Sequence, residues 1–337
     1  MKKHILEYSH LICSLFLCLL ACVCNGCTEE PLQEDGRAVI RLGAKSPTRA
    51  VNSLEDLSAA GNNVGIYGIQ ISDASSGIPS DGSQWGGVLR MDNVRTTSID
   101  ALTGNISWAG NYYYPAEEES SVEFCAYHPY APVGTSSDGR FFVEAPASGH
   151  APVLHFSLSG REDVMFATPV TGSRNSRPQG LEFRHVLTQL RFQVIDSYAS
   201  LNEVSLRGIS LLGVNSDSSM NIETGALGAW SSPGELAVPG ITEVLITGSP
   251  TQPQSVGQEV MLEPGQPEFH VRVETSKATY DDVLIRPTSS IGGVKEESFA
   301  AGCSYLITLS FQQQTGIVLS ATVVPWVMAG YGSAIVQ

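Results

Sequence analysis

Basic residues are scarce in this chain of 337 residues: 19 Lys and Arg stand against 34 Asp and Glu, a formal net charge of −15. An acidic chain with scattered charges argues against nucleic acid and anionic membrane as partners. No uncharged apolar run reaches the length of a bilayer-spanning helix. Five of the seven cysteines (Cys13, Cys18, Cys22, Cys24 and Cys27) lie in the first 27 residues. Only Cys125 and Cys303 remain in the body. They could pair in an oxidising compartment, but without a spacing signature they read as buried thiols. Catalytic motifs are missing too. There is no G-x-S-x-G, no H-E-x-x-H, no phosphate-binding loop and no dinucleotide fingerprint. His128, His150, His155, His185 and His270 show no metal-ligand spacing, so neither enzymatic activity, a metal nor a cofactor is expected.

What the chain does have begins at its amino terminus. Lys2 and Lys3 precede an uncharged apolar run from Leu11 to Cys24. At about 14 residues it is too short for a comfortable span and right for a signal-peptide core. Asn25 and Gly26 then lead to Cys27. The arrangement resembles a bacterial lipobox, with Cys24 standing where Leu is usual. A lipobox implies cleavage after residue 26 and acylation of the Cys27 thiol, including a palmitate, which ties the chain to outer-membrane lipid without spanning it. Thr28-Glu29-Glu30 is similar to the surface-export signal of Bacteroidetes lipoproteins.

Residues 28–36 read as an acidic tether. Arg37 to Ala44 then fits a strand, with Ala38, Ile40, Leu42 and Ala44 on one face. Lys45-Ser46-Pro47-Thr48-Arg49-Ala50 follows as a loop that exposes Arg49. From there short apolar alternations recur between Gly, Pro, Ser and Asn clusters. The clearest early strand is Val122 to His128, with Val122, Phe124 and Ala126 on one face and Cys125 and Tyr127 on the other. Residues 186–194 alternate as cleanly, with Leu190, Phe192 and Val194 together. Further strands are expected at 203–213, 220–223, 242–247, 258–262, 268–275, 282–286, 303–311 and 316–324. No long amphipathic helix is evident; at most Ser53 to Ala60 makes a turn or two. Many short strands at this spacing predict an all-β fold, a β-sandwich formed twice. The expected division is a signal peptide at 1–26, a lipidated tether and first strand at 27–49, and two domains at 50–178 and 179–337.

Some polar clusters invite a functional reading that their spacing does not sustain. Asn215, Asp217, Ser219, Asn221 and Glu223 alternate like a calcium loop but lack its central Gly and late Glu, so a polar hairpin connection is expected. Glu117-Glu118-Glu119 reads as a solvated loop, and Asp281-Asp282 as a turn. Tyr112, Tyr113 and Tyr114 offer either a sugar platform or rings shared between core and surface.

Four separated segments resemble one family. They are Trp108 with Tyr112-Tyr113-Tyr114-Pro115 and Val122-Glu123-Phe124-Cys125-Ala126-Tyr127-His128-Pro129; Asp163-Val164-Met165-Phe166-Ala167 with Leu181 to Phe192; Phe299 to Leu309; and Thr315 to Trp326. In this order they are similar to the fimbrillin-like proteins of Bacteroidales, the structural and accessory subunits of type V pili. The resemblance implies two tandem transthyretin-like β-sandwich domains, a lipoprotein precursor and a cell-surface fimbrium used in adhesion. It also implies maturation by a trypsin-like, often arginine-specific protease, here between Arg49 and Ala50. Such a cut removes the acylated segment with its strand. The groove so exposed is filled by a strand from another pilin subunit, for which 316–324 and 333–337 are the donor candidates. The alternative is a surface lipoprotein that never polymerises and binds a glycan or another host or bacterial surface ligand.

Overall fold

The computed structural model describes residues 33–34, 37–45, 63–71, 85, 87–134, 139–145, 149–196, 204–288, 290–291, 294–295, 297–312 and 316–324. Every regular element among them is a β-strand. The helical turn expected at 53–60 lies outside the described residues.

The first sheet has seven strands, in the order Ala44–Lys45, Leu181–His185, Met165–Ser173, Ser121–His128, Gly65–Ile71, Leu89–Ile99 and Ile106–Trp108. Its central strand, Ser121–His128, is apolar on both faces because both faces are covered. Val122, Phe124 and Ala126 enter one core with Ile66, Met91, Ala167 and Phe183. Cys125 and Tyr127 enter a second core with Tyr67, Leu154, Phe156, Met220 and Ile222. The alternation in the sequence assigned these side chains to the same two faces.

A four-stranded sheet (Gln254–Leu262, Thr188–Asp196, Ser304–Gln312, Gly316–Val324) packs on a second seven-stranded one. The main path of that sheet runs Thr279–Ile285, Phe269–Thr275, Ser205–Asn221, Val153–Ser157 and Phe141–Glu144, with Ser231–Ala237 and Val244–Leu245 also pairing to Ser205–Asn221. Leu190, Phe192 and Val194 lie beside Tyr305, Ile307 and Leu309 of their own sheet and share a core with Leu206, Ile209 and Val271 of the other. Burying both inner faces of paired sheets is what holds such a sandwich together.

The Ser205–Asn221 strand departs from expectation. The polar stretch 214–219 was expected to be a connection, yet the strand runs through it without interruption. Its polar residues find partners on both sides, pairing with Ser231–Ala237 and with Val153–Ser157. The turn comes only at Asn221, whose side-chain oxygen accepts from the Glu223 and Thr224 amides at 3.0 Å each. One strand thus serves two cores: Leu206, Ile209 and Leu211 lie in one, Met220 in the other. Asp281 and Asp282 likewise lie within a strand rather than a turn. Arg272 takes the first carboxylate and His270 the second.

Cys125 is buried, Cys303 is half-buried, and both are free thiols. They sit in different cores, Cys125 in one and Cys303 against the other.

Candidate functional site

The candidate site is the segment 37–45 (RAVIRLGAK). Its alternating sequence is matched by alternating burial. Ala38, Ile40, Leu42 and Ala44 are only 1–6% exposed, while Arg37, Arg41 and Lys45 face outward. The four inward residues join the core of the first sheet, alongside Ile99, Ile106, Tyr114, Leu181 and Phe183.

Its backbone is bonded on two sides. On one side it runs antiparallel to the chain at 104–114. Ile40 donates to the Tyr112 carbonyl at 2.8 Å and Ala44 to that of Gly104 at 2.7 Å; the Ala38 and Leu42 carbonyls accept from Tyr114 and Ile106 at 2.9 and 3.0 Å. On the other side Ala44–Lys45 runs parallel to Leu181–Glu182. There the Leu181 amide donates to Gly43 at 2.7 Å. Ala44–Lys45 is thus the outer strand beside Leu181–His185, and the same segment also bonds the chain around Ile106–Trp108, the outer strand at the opposite end of the sheet. Among the described residues it is the one stretch bonded to both edges.

Local chemistry shapes both edges. Gly104 takes a left-handed backbone, φ 72°, at the end of a turn capped by Asp100. The Asp100 carboxylate accepts from the Leu102 and Thr103 amides and from the Thr103 hydroxyl, at 2.7–3.0 Å. Those bonds, the Thr103 amide first, hold its pKa below the usual carboxylate range. The turn aims the Gly104 carbonyl at Ala44. On the opposite edge, a β-carbon at Gly180 would meet Lys45 Cγ at 2.7 Å and the Gly43 carbonyl at 3.1 Å. Only glycine lets the two backbones approach so closely. At the start of the segment the Arg37 guanidinium lies 4.1 Å from the centre of the Tyr113 ring.

Sequence reasoning found the segment and its inward face. It did not find the edges, which lie about 60 and 140 residues further along the chain. Tyr112, Tyr113 and Tyr114 turn out to supply one of them. Cys27, Arg49, Ala50 and the donor candidate 333–337 lie outside the described residues. The other donor candidate, Gly316–Val324, pairs antiparallel with Ser304–Gln312 along its whole length. His128 and His185 belong to a buried polar cluster. His185 Nδ1 lies 2.5 Å from Asp163 Oδ2, and His128 Nδ1 is 3.0 Å from the Asn63 carbonyl. Burial pushes the His128 imidazole below its ordinary range; Asp163 and the Asn63 carbonyl work against that, and His185 adds to it.

A family model described as fimbrillin-like matches residues 48–326. The match therefore starts just after the 37–45 segment. Among solved structures, a candidate cell adhesion protein of Bacteroides uniformis is 20% identical, with a TM-score of 0.53 over 86% of this chain and 99% of that one. A fimbrial protein of Bacteroides vulgatus is 13% identical, with a TM-score of 0.55 over 84% of this chain and 98% of that one. A candidate cell adhesion protein of Bacteroides ovatus is 15% identical, with a TM-score of 0.55 over 86% of this chain and 98% of that one. At these identities the likeness is one of fold. No curated protein matches the chain.

Proposed function

The chain belongs to the fimbrillin-like family, and on that premise we propose that it is a subunit of a type V pilus, exported as a lipoprotein and assembled by strand exchange for surface adhesion. Residues 1–26 are the export signal, and Cys27 carries the lipid that holds the precursor at the outer membrane. Residues 27–49 form a removable carrier, cut between Arg49 and Ala50. Residues 50–178 and 179–337 are the two sandwich units of the mature subunit.

The observation that carries this reading is the double-edged bonding of segment 37–45. Once the chain is cut downstream of it, the segment is held by non-covalent contacts alone. Its departure exposes the places of Ala38, Ile40, Leu42 and Ala44 in the core. It also frees backbone groups on two sheet edges, at Gly104, Ile106, Tyr112, Tyr114 and Leu181. A groove with an apolar floor and two open edges takes up an extended strand, which satisfies the edges with its backbone and the floor with alternate side chains. The replacement strand must read small, large, large, small at alternate positions and run antiparallel to 104–114.

Two further features favour a cut at Arg49 over other arginines. Arg37 and Arg41 lie within the zipped segment, and Arg177 is followed by Pro178. Between the donor candidates, Gly316–Val324 is the costlier, because donating it breaks its own ladder with Ser304–Gln312.

The test is digestion of the full chain with an arginine-specific protease, followed by unheated SDS gels and electron microscopy. The expected result is a single nick after Arg49, loss of the amino-terminal fragment and a ladder of SDS-resistant oligomers. Nicked protein that stays monomeric overturns the reading.

A further inference from the structure

Most arginines whose side-chain contacts are seen are matched to a carboxylate. Arg140, Arg184, Arg191, Arg207, Arg272 and Arg286 each have one at 2.7–3.8 Å. Three arginines have neutral partners instead and line one cleft of about 500 Å3, while a fourth, Arg95, lies over the Tyr130 ring outside it. Arg37 stacks on the Tyr113 ring. Arg90 gives Nε and Nη2 to the Gln70 side-chain oxygen at 2.9 and 2.6 Å. Arg174 donates to the Ala116 carbonyl. Each is held by a neutral partner, and among the described residues none of the three contacts a carboxylate. Among the described residues of the lining Glu117 is the single acid, against three cations, in a chain whose net charge is −15. Tyr112 and Tyr113, both half-buried, line the same cleft.

We propose that this cleft binds an acidic sugar, a hexuronate or similar carboxylate-bearing ring, at the end of a glycan. The volume lies within the range of small-molecule sites and accommodates one or two pyranose rings. A guanidinium presents a planar fork that matches a carboxylate, and here the forks are already positioned by neutral acceptors. The tyrosines offer apolar ring surface with a polar tip, which suits a sugar better than a bare anion. An acidic protein repels anions at a distance, so an anionic ligand gains only where cations stand uncompensated. An acidic peptide meets the same arginines, but it has no ring to lay on the tyrosines.

Because Arg37 belongs to the segment 37–45, the cleft is complete only while that segment is in place. This corollary rests on the proposed function. It predicts that protein nicked and stripped of the segment binds the sugar less tightly than the intact chain.

Isothermal titration of the intact chain with digalacturonate tests the site, with the neutral disaccharide galactobiose and hexaglutamate run alongside. Digalacturonate should bind and galactobiose should not. Raising the salt from about 0.05 to 0.5 M should weaken binding several-fold, because the contacts are ionic. The double substitution Arg90→Gln, Arg174→Gln should raise Kd by about tenfold or more, while Arg207→Gln, outside the cleft, should leave it unchanged. Absence of digalacturonate binding, or binding indifferent to both salt and the double substitution, overturns the proposal. So does hexaglutamate binding as tightly as digalacturonate, which makes the cleft a general anion or peptide site. The comparison of galactobiose with digalacturonate uses the unaltered chain, so a misfolded variant leaves the question decidable. If intact and stripped protein bind alike, the corollary fails and the site stands.

Discussion

Replacing Leu42 by Ala probes, at its centre, the segment that the proposed function makes removable. Leu42 is 4% exposed and packs in the core of the first sheet, and its neighbours Arg41 and Gly43 face other ways. Truncating a buried leucine costs about 2–5 kcal/mol, the transfer term plus the cavity left behind. In the intact chain that loss lowers the free energy of unfolding, read as a shift of the urea midpoint with no change of slope. In the nicked chain the same loss acts on a fragment held without a covalent link. At about 1.4 kcal/mol per factor of ten, release should speed up by roughly thirty-fold or more. The assay is mass spectrometry of the 27–49 fragment leaving the body after arginine-specific digestion. Arg41→Ala is the control, since its side chain is exposed and most surface changes stay within about 0.5 kcal/mol. If Leu42→Ala and Arg41→Ala release the fragment at the same rate, the segment is not held by its inward face and the reasoning fails.

Gly180→Ala sets a β-carbon against Lys45 and the Gly43 carbonyl. The Lys45 side chain can move aside but the carbonyl cannot, so the parallel pairing at Leu181 should loosen at a cost of about 1–3 kcal/mol, visible as a melting temperature lower by several degrees. His128 predicts a pH effect. Its pKa in the folded state lies below that in the unfolded chain, so unfolded protein takes up the proton first as pH falls. Stability is therefore full above about pH 6.5 and declines as pH drops towards the folded value, by at most about 1.4 kcal/mol per pH unit from this one group. Urea titrations between pH 5 and 7.5 should show that slope in the native chain and a flatter one in His128→Gln; identical slopes refute the assignment.

The parts of the fold that could be read in the sequence are those set by period two. Val122, Phe124 and Ala126 against Cys125 and Tyr127, or Leu190, Phe192 and Val194 together, follow from alternation alone, because successive side chains in a strand point to opposite faces. The inward face of 37–45 was legible for the same reason. The polar run 214–219 was not, since its strand character comes from ladders on both sides rather than from apolar periodicity. The cleft arginines were equally hidden. Arg37, Arg90 and Arg174 are far apart in the chain, and what distinguishes them is the lack of a carboxylate beside each, a property of packing.

On the proposed function the segment 37–45 must hold its place and later leave, two opposing demands that its composition meets. Four inward positions bury two large side chains, Ile40 and Leu42, between two alanines. Burying an isoleucine or leucine contributes about 1.5–3 kcal/mol each, while an alanine adds far less. A segment with four large residues would grip the groove too firmly for another strand to displace it on a useful timescale. One with four alanines would leave the edges at Gly104 and Leu181 open before a replacement arrived. The mixed pattern holds the groove closed while the chain is continuous. A cut then turns an intramolecular contact of high effective concentration into a bimolecular one. Substituting Ala38 and Ala44 by Val is the corresponding gain-of-grip change. Where the groove accommodates the added methyls, retention after nicking should lengthen and assembly should slow in proportion.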